Sequence, residues 1–169
     1  MDGVKLKAAQ APLKQRYLED PDAALVTLHA RGAIGDGVTC SVETGQAMAR
    51  AGLHPVTGGE AMVNVCSGDM LLQALVACAG VTLNAVATSL GLPVTDARLH
   101  AEGDLDFRGT LGVSKEALVG FHDVRLTIDV EGDLSDEQIA TLVKLTERYC
   151  VVYQTLKLSP RLTVSARRA

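Results

Sequence analysis

Apolar and polar positions follow different periods along the chain, and each period predicts an element. Between residues 70 and 90 the apolar side chains, among them Leu72, Leu75, Val76, Val81, Leu83 and Val86, fall on every side of a helical wheel. A surface helix carries one apolar stripe, so a helix that is apolar all round is expected at the centre of the molecule. Its limits are marked by Ser67 or Asp69, either of which can accept the unpaired N–H groups of a first turn, by Gly91 as a left-handed stop, and by Pro93, which forbids continuation. Gln73, Thr82, Asn84, Thr88 and Ser89 interrupt the run and favour a buried soluble helix over a membrane span.

A period of two takes over at 96–107 and 120–130, where Leu99 and Ala101, then Val124, Leu126 and Ile128, alternate with polar residues as half-buried strands do. These two strands are expected to pair across the turn-rich segment between them. Gly132-Asp133-Leu134 leads into a second helix, with Ser135 as cap and Gln138 three residues later as its capping-box partner. Ile139, Leu142, Val143, Thr146, Tyr149 and Cys150 form its inward face, and the alternation of Leu162, Val164 and Ala166 predicts a closing strand over 158–166. Upstream, 24–31 and 38–44 are β-prone runs flanking the glycine-rich 32–37, whose Asp36-Gly37 pair signals a hairpin. Residues 45–68 read as a loop with a short helical turn at 46–51, punctuated by His54-Pro55 and Gly58-Gly59. Residues 12–21 read as a short helix or turn through Leu13, Tyr17 and Leu18, ended by Asp20-Pro21, and as an arm rather than core.

Strands, helix, strands, helix and strand in this order make an α+β pattern. One domain is expected over 1–169, divided into an N-terminal arm (1–23), N-terminal strands (24–44), a loop (45–68) and a cysteine-containing core (69–169).

Composition narrows the chemistry. The chain is 47% hydrophobic but 3% aromatic with no Trp, so its core is aliphatic. The net charge is -4, and the basic residues are scattered apart from Arg161, Arg167 and Arg168, which leaves no concentrated face for nucleic acid. The first ten residues hold two lysines but no continuous apolar run, so neither a secretory signal nor a membrane anchor is expected, and the protein reads as cytoplasmic. In a reducing compartment Cys40, Cys66, Cys78 and Cys150 are expected as free, catalytic or ligating thiols rather than crosslinks. They show no Cys-x-x-Cys spacing, and with His54 they do not describe a zinc site. The glycine-rich 32–37 lacks the Lys-Ser/Thr ending of a phosphate loop, and His29, His54, His100 and His122 have no adjacent nucleophile motif, so no cofactor is expected.

Cys78 falls inside the central helix, where a free cysteine usually acts as a small hydrophobe. The residues around it point further. Ser67-Gly68-Asp69-Met70-Leu71-Leu72, followed by a small-residue helix up to Cys78, resembles the OsmC/Ohr signature, in which Pro, Gly or Glu, and Glu precede Leu-Leu and the peroxidatic cysteine. Gly132-Asp133-Leu134-Ser135-Asp136-Glu137-Gln138 is similar to that family's strand-to-helix junction. Cys150-Val151-Val152-Tyr153-Gln154-Thr155-Leu156 resembles its Cys-Pro-Val-His-x-Thr-Leu segment, with Val151 in place of Pro and Tyr153 in place of His. Gly68 stands where the organic-hydroperoxide branch carries Glu, and Asp69 follows where other branches have Glu.

The resemblance implies an OsmC-like fold, antiparallel sheets around two central helices in an intertwined homodimer, with active sites near the subunit interface. It also implies a thiol peroxidase acting on organic hydroperoxides or hydrogen peroxide in oxidative stress defence. Attack on a peroxide needs thiolate, and a thiol with a reference pKa of about 8.5 is mostly protonated at neutral pH. The family supplies an arginine from the N-terminal strands, held by a carboxylate; Arg31 is the best placed candidate, Arg16 and Arg50 are alternatives, and Asp69 is either the orienting carboxylate or a helix cap. Cys78 would become a sulfenic acid, Cys150 would capture it as a disulfide, and a dithiol such as a lipoylated protein would reopen it. Cys66 is an alternative resolving thiol or a packed one, and Cys40 reads as core. The competing reading is a protein of this fold that binds a small hydrophobic ligand at the dimer interface without turning it over.

Overall fold

The computed structural model describes residues 3–19, 32–35, 39–44, 47–54, 57, 65–112 and 114–168. The central helix of the sequence pattern is α2 (Ser67–Leu90). Cys66 is its N-cap, in extended conformation and without a side-chain hydrogen bond, so neither Ser67 nor Asp69 caps it. Ser67 is already inside the helix, and Asp69 lies in the first turn, where a carboxylate suits the positive end of the helix dipole. The other end follows the sequence: Gly91 adopts φ 68 and its N–H returns to the carbonyls of Ala87 and Thr88.

One stripe of α2 is buried, formed by Leu75, Ala79, Leu83 and Ala87 at four-residue spacing. Against it lies an antiparallel hairpin of β5 (Val94–Leu105) and β6 (Phe121–Gly132), whose register pairs Leu99 with Ile128 and Ala101 with Leu126. A four-residue helix, α3 (Phe107–Thr110), starts the connection. The inward hairpin residues complete two clusters, one around Leu75, Ala79 and Cys150 and one around Leu83, Ala87 and Leu142. Burying each leucine contributes about 1.5–3 kcal/mol. The outward face carries charge, with Arg125 bridging Asp104 and Asp123 in the open, where ion pairs contribute little.

α4 (Asp136–Tyr149) begins with the expected capping box: the Gln138 N–H donates to Ser135 Oγ at 3.2 Å, and the Ser135 N–H donates to Gln138 Oε1 at 2.8 Å. Leu142 and Thr146 are buried, the Thr146 hydroxyl donating to the Leu142 carbonyl at 2.8 Å. Tyr149, expected inward, is 59% exposed, because α4 ends there and the chain turns at Cys150 into α5 (Val151–Lys157).

The N-terminal part departs more from expectation. α1 (Gly3–Glu19) runs for 17 residues straight through Pro12, well beyond the expected turn at 12–21. Ala8, Ala9 and Ala11 are strong helix formers and offset part of the cost of an interior proline, about 3 kcal/mol. Gly3 lies so close to the end of α2 that a Cβ there would stand 2.8 Å from the Thr88 carbonyl oxygen. β1 (Gly32–Gly35), β2 (Thr39–Thr44) and β3 (Ala47–Gly52) form an antiparallel meander, with β4 (Val65–Cys66) parallel to β3. Residues 32–35, read as part of a connection, are therefore a strand, since a tight hairpin brings its strands up to the turn. Of the helical turn expected at 46–51, residues 47–51 lie in strand β3, because a partner edge on β2 outweighs the modest helix preference of Ala, Met and Arg. The β-prone run 24–31, including Arg31, lies outside the described residues.

Two further corrections concern coverage. The closing strand expected at 158–166 does not form: the segment is exposed, with Leu162 at 84% and Val164 at 98%. α2, expected to be buried all round, leaves Leu71 and Val81 exposed, and by length and composition it passes as long and apolar enough to cross a membrane. Both features are apolar surface left uncovered by the described residues.

Candidate active site

The folding of α2 and the α4–α5 corner against one another brings two distant cysteines together. Cys78 lies on the flank of the buried α2 stripe and is partly exposed; Cys150, fully buried, is at once the C-cap of α4 and the N-cap of α5. Both belong to one apolar cluster with Leu75 and Ala79, and both are free thiols.

Their environments pull them in opposite directions. Burial acts against ionisation of Cys78, but the backbone N–H of Val152, the Cys150 thiol, the N–H of Val151 and the Thr82 hydroxyl outweigh it, and its pKa falls below the ordinary thiol value. The Thr82 hydroxyl donates its one proton to the Cys78 carbonyl at 2.8 Å, so we assign the effect chiefly to the two amides and the neighbouring thiol. Burial pushes Cys150 up; the Tyr153 N–H, which donates to Cys150 Sγ at 3.5 Å, only partly offsets it. Of the pair, Cys78 is therefore the more readily ionised and Cys150 the less, an arrangement suited to forming a disulfide once Cys78 has been oxidised.

The other sequence candidates are not gathered there. Asp69 is exposed in the first turn of α2, and at about 1.5 Å of rise per residue it stands about 13 Å along the axis from Cys78. Cys66 is about 18 Å away by the same measure, against a limit of about 7 Å between the Cα atoms of a disulfide, so it cannot resolve Cys78 of its own chain. Arg50 is exposed on β3 opposite Ser41, and Arg16 lies on α1. Cys40 is in β2, opposite Ile34 and Ala51. Among the described residues no group of three His, Cys, Asp or Glu side chains could hold a metal ion.

Two hollows flank the first turns of α2. One of about 310 Å³ is lined by Cys66, Gly68, Asp69 and Phe121, with His54 and Phe107 stacked at 5.2 Å on its wall. The other, about 420 Å³, is lined by Leu72, Val76, Ala77, Leu99 and Ala101. Leu99 and Ala101 pack on the same cluster as Cys78. Thr82 and the amides of Val151 and Val152 were not legible as site groups in the sequence, because an amide carries no residue signature.

A mixed helix–sheet fold that sets a central-helix cysteine against a second cysteine at a later helix junction defines a class of thiol proteins. The chain belongs to the family of OsmC-like proteins, whose pattern matches residues 58–165 and so includes both cysteines. Solved structures share the fold. An OsmC-like protein of Mycoplasma pneumoniae superposes with a TM-score of 0.67 at 13% identity, over 79% of this chain and 89% of its own. An organic hydroperoxide resistance protein of Elizabethkingia anophelis gives 0.65 at 16%, over 80% and 91%. One from Legionella pneumophila gives 0.62 at 19%, over 80% and 92%. No curated protein matches the chain in sequence.

Proposed function

We propose that this protein reduces hydroperoxides through a two-cysteine cycle, with Cys78 peroxidatic and Cys150 resolving. The observation that carries the reading is the pairing of a thiol with lowered pKa and a buried thiol with raised pKa in one cluster. The Cys78 thiolate attacks the distal peroxide oxygen, the O–O bond breaks, and the leaving alkoxide takes a proton to depart as alcohol. The sulfenic acid at Cys78 then accepts the Cys150 sulfur, an S–S bond forms and water leaves. A dithiol, such as a lipoylated protein, returns both cysteines to thiols. Arg31 is our candidate for the cation that balances charge on the departing oxygen, with Arg16 and Arg50 as alternatives and Asp69 as its carboxylate. The protein works as one unit over 1–169 in the cytoplasm, as a homodimer whose second copy covers the apolar faces left open here, and serves oxidative stress defence.

Thiol titration and intact mass after one equivalent of cumene hydroperoxide or hydrogen peroxide test this on wild type, Cys78→Ser and Cys150→Ser. The expected result is loss of two thiols and two hydrogen atoms in wild type and no intramolecular disulfide in either variant. Unchanged wild-type thiols would sink the peroxidase reading. The Leu72, Val76, Ala77, Leu99 and Ala101 side of the 420 Å³ hollow, rimmed by Asp69, Gln73 and His100, would then favour the second reading, a protein that holds a small hydrophobic ligand without turning it over.

A further inference from the structure

Between α4 and α5 the chain turns at Cys150, and the hydrogen bonds around the turn identify what holds it. The backbone ladder survives on either side: the Cys150 N–H donates to the Thr146 carbonyl at 2.9 Å, and the Gln154 N–H donates to the Cys150 carbonyl at 3.0 Å. At Cys150 itself the backbone is extended, with φ -72 and ψ 109, and the ladder breaks. In an unbroken α-helix the Glu147 carbonyl would accept the N–H four residues on, that of Val151. Here it accepts Gln154 Nε2 at 2.7 Å, in a half-buried contact that ties the first turn of α5 back to the last turn of α4. Cys150, left extended, serves as the N-cap of α5: its Sγ accepts the Tyr153 N–H at 3.5 Å, and its side chain is fully buried in the cluster that Cys78 packs against.

Nothing in the backbone of Val151 forbids the straight alternative. A proline at that position, as in the segment this one resembles, would lack the N–H and push the preceding residue out of the helical region, so the corner would form unaided. Val151 keeps its N–H, and two donors can therefore claim one carbonyl. If Val151 claimed it, α4 would run on, the ψ of Cys150 would rotate by about 150° to its helical value, and the sulfur would leave the Tyr153 N–H. We propose that Gln154 is a positioning residue: by occupying the Glu147 carbonyl it stops α4 from extending through Val151, and so holds the Cys150 sulfur beside Cys78 for disulfide closure. The proposal deepens the two-cysteine reading and rests on it for its role in a cycle, but the corner can be tested without peroxide.

The test is the equilibrium between the Cys78–Cys150 disulfide and dithiothreitol, read by mass spectrometry of the full-length protein across ratios of oxidised to reduced reagent. Reduced dithiothreitol gives two electrons and two protons to the protein disulfide and closes into its own cyclic disulfide. In the oxidised protein the S–S bond itself holds the corner; in the reduced protein Gln154 must, and without it only a fraction of molecules keep the thiols in place. Gln154→Met and the similarly shaped Gln154→Glu both lose the donor, and each should lower the equilibrium constant for the disulfide about three- to tenfold, the scale of one net hydrogen bond. Val151→Pro added to either should restore it, because the competing N–H is gone and proline suits the first position of a helix. Ser135→Ala, at the far end of α4, loosens the same helix and should leave the constant unchanged. An unaltered constant in both Gln154 variants, an equal fall in Ser135→Ala, or no recovery with Val151→Pro overturns the proposal, as does a wild type whose two cysteines form no disulfide with the oxidised reagent. If the constants move as stated while peroxide leaves the wild-type thiols untouched, the role of Gln154 stands and the peroxidase reading falls.

Discussion

At the scale of single residues, the neighbours of each thiol set its chemistry. The pKa of Cys78 lies below its ordinary value, so its iodoacetamide reaction should rise with pH through a midpoint below that of free cysteine, whereas Cys150 should titrate above it. Peptide mapping of alkylated protein across pH 6–10 (about the thiol range) checks both. Proton linkage has opposite signs here: the stabilising contribution of Cys78 ionisation is lost as pH falls through its lowered pKa, and that of protonated Cys150 is lost as pH rises through its raised one. The glycines around α2 are likewise separable by contact. A Cβ at Gly68 would meet Phe121, Cys66 and Leu105 at 3.5–3.8 Å, ordinary contact, so Gly68→Ala should stabilise the helix by about 0.5–1 kcal/mol in a thermal or urea melt. At Gly103 the same atom would overlap the Phe121 ring, and Gly103→Ala should destabilise by about 1–3 kcal/mol.

At the scale of elements, local signals and tertiary partners divided the outcome. Where the stop or start is written in two or three adjacent residues, as at Gly91 or at Ser135 with Gln138, the sequence reading matched the element. Ser135→Ala removes the acceptor for the Gln138 N–H and should cost about 1 kcal/mol in chemical denaturation, without altering the thiol chemistry. Leu142, which joins α4 to Leu83 and Ala87 of α2, should cost about 2–5 kcal/mol when changed to Ala. Elements that depend on a partner edge were harder to read. Residues 46–51 look helical by propensity, yet 47–51 lie in strand β3 because β2 lies alongside; residues 158–166 look like a strand and pair with none of the described residues. Cys78 and Cys150 were legible as a pair through the resemblance of their flanking segments, whereas the amides that tune Cys78 depend on where α5 begins.

At the scale of the molecule, the uncovered surfaces belong together. Among the described residues, α2 exposes Val81 at 73%, the hairpin has two strands and hence two open edges, and the C-terminal segment presents Leu162 and Val164 without a partner. In the homodimer we propose, a second copy would supply edge and face at once. The full chain should therefore sediment at twice 17.7 kDa, and a chain ending at Lys157, or one carrying Val81→Lys, should lose the dimer or aggregate; a monodisperse wild-type monomer would contradict this. The sequence by itself determined the end of α2, the start of α4, the alternation of the hairpin and the membership that places two cysteines in a known order, because those signals are carried by neighbouring residues. The tertiary structure alone decided that Cys150 is buried at a helix junction and that backbone amides lower the Cys78 pKa. Distances between elements and the direction of an amide follow from packing, which no local pattern encodes.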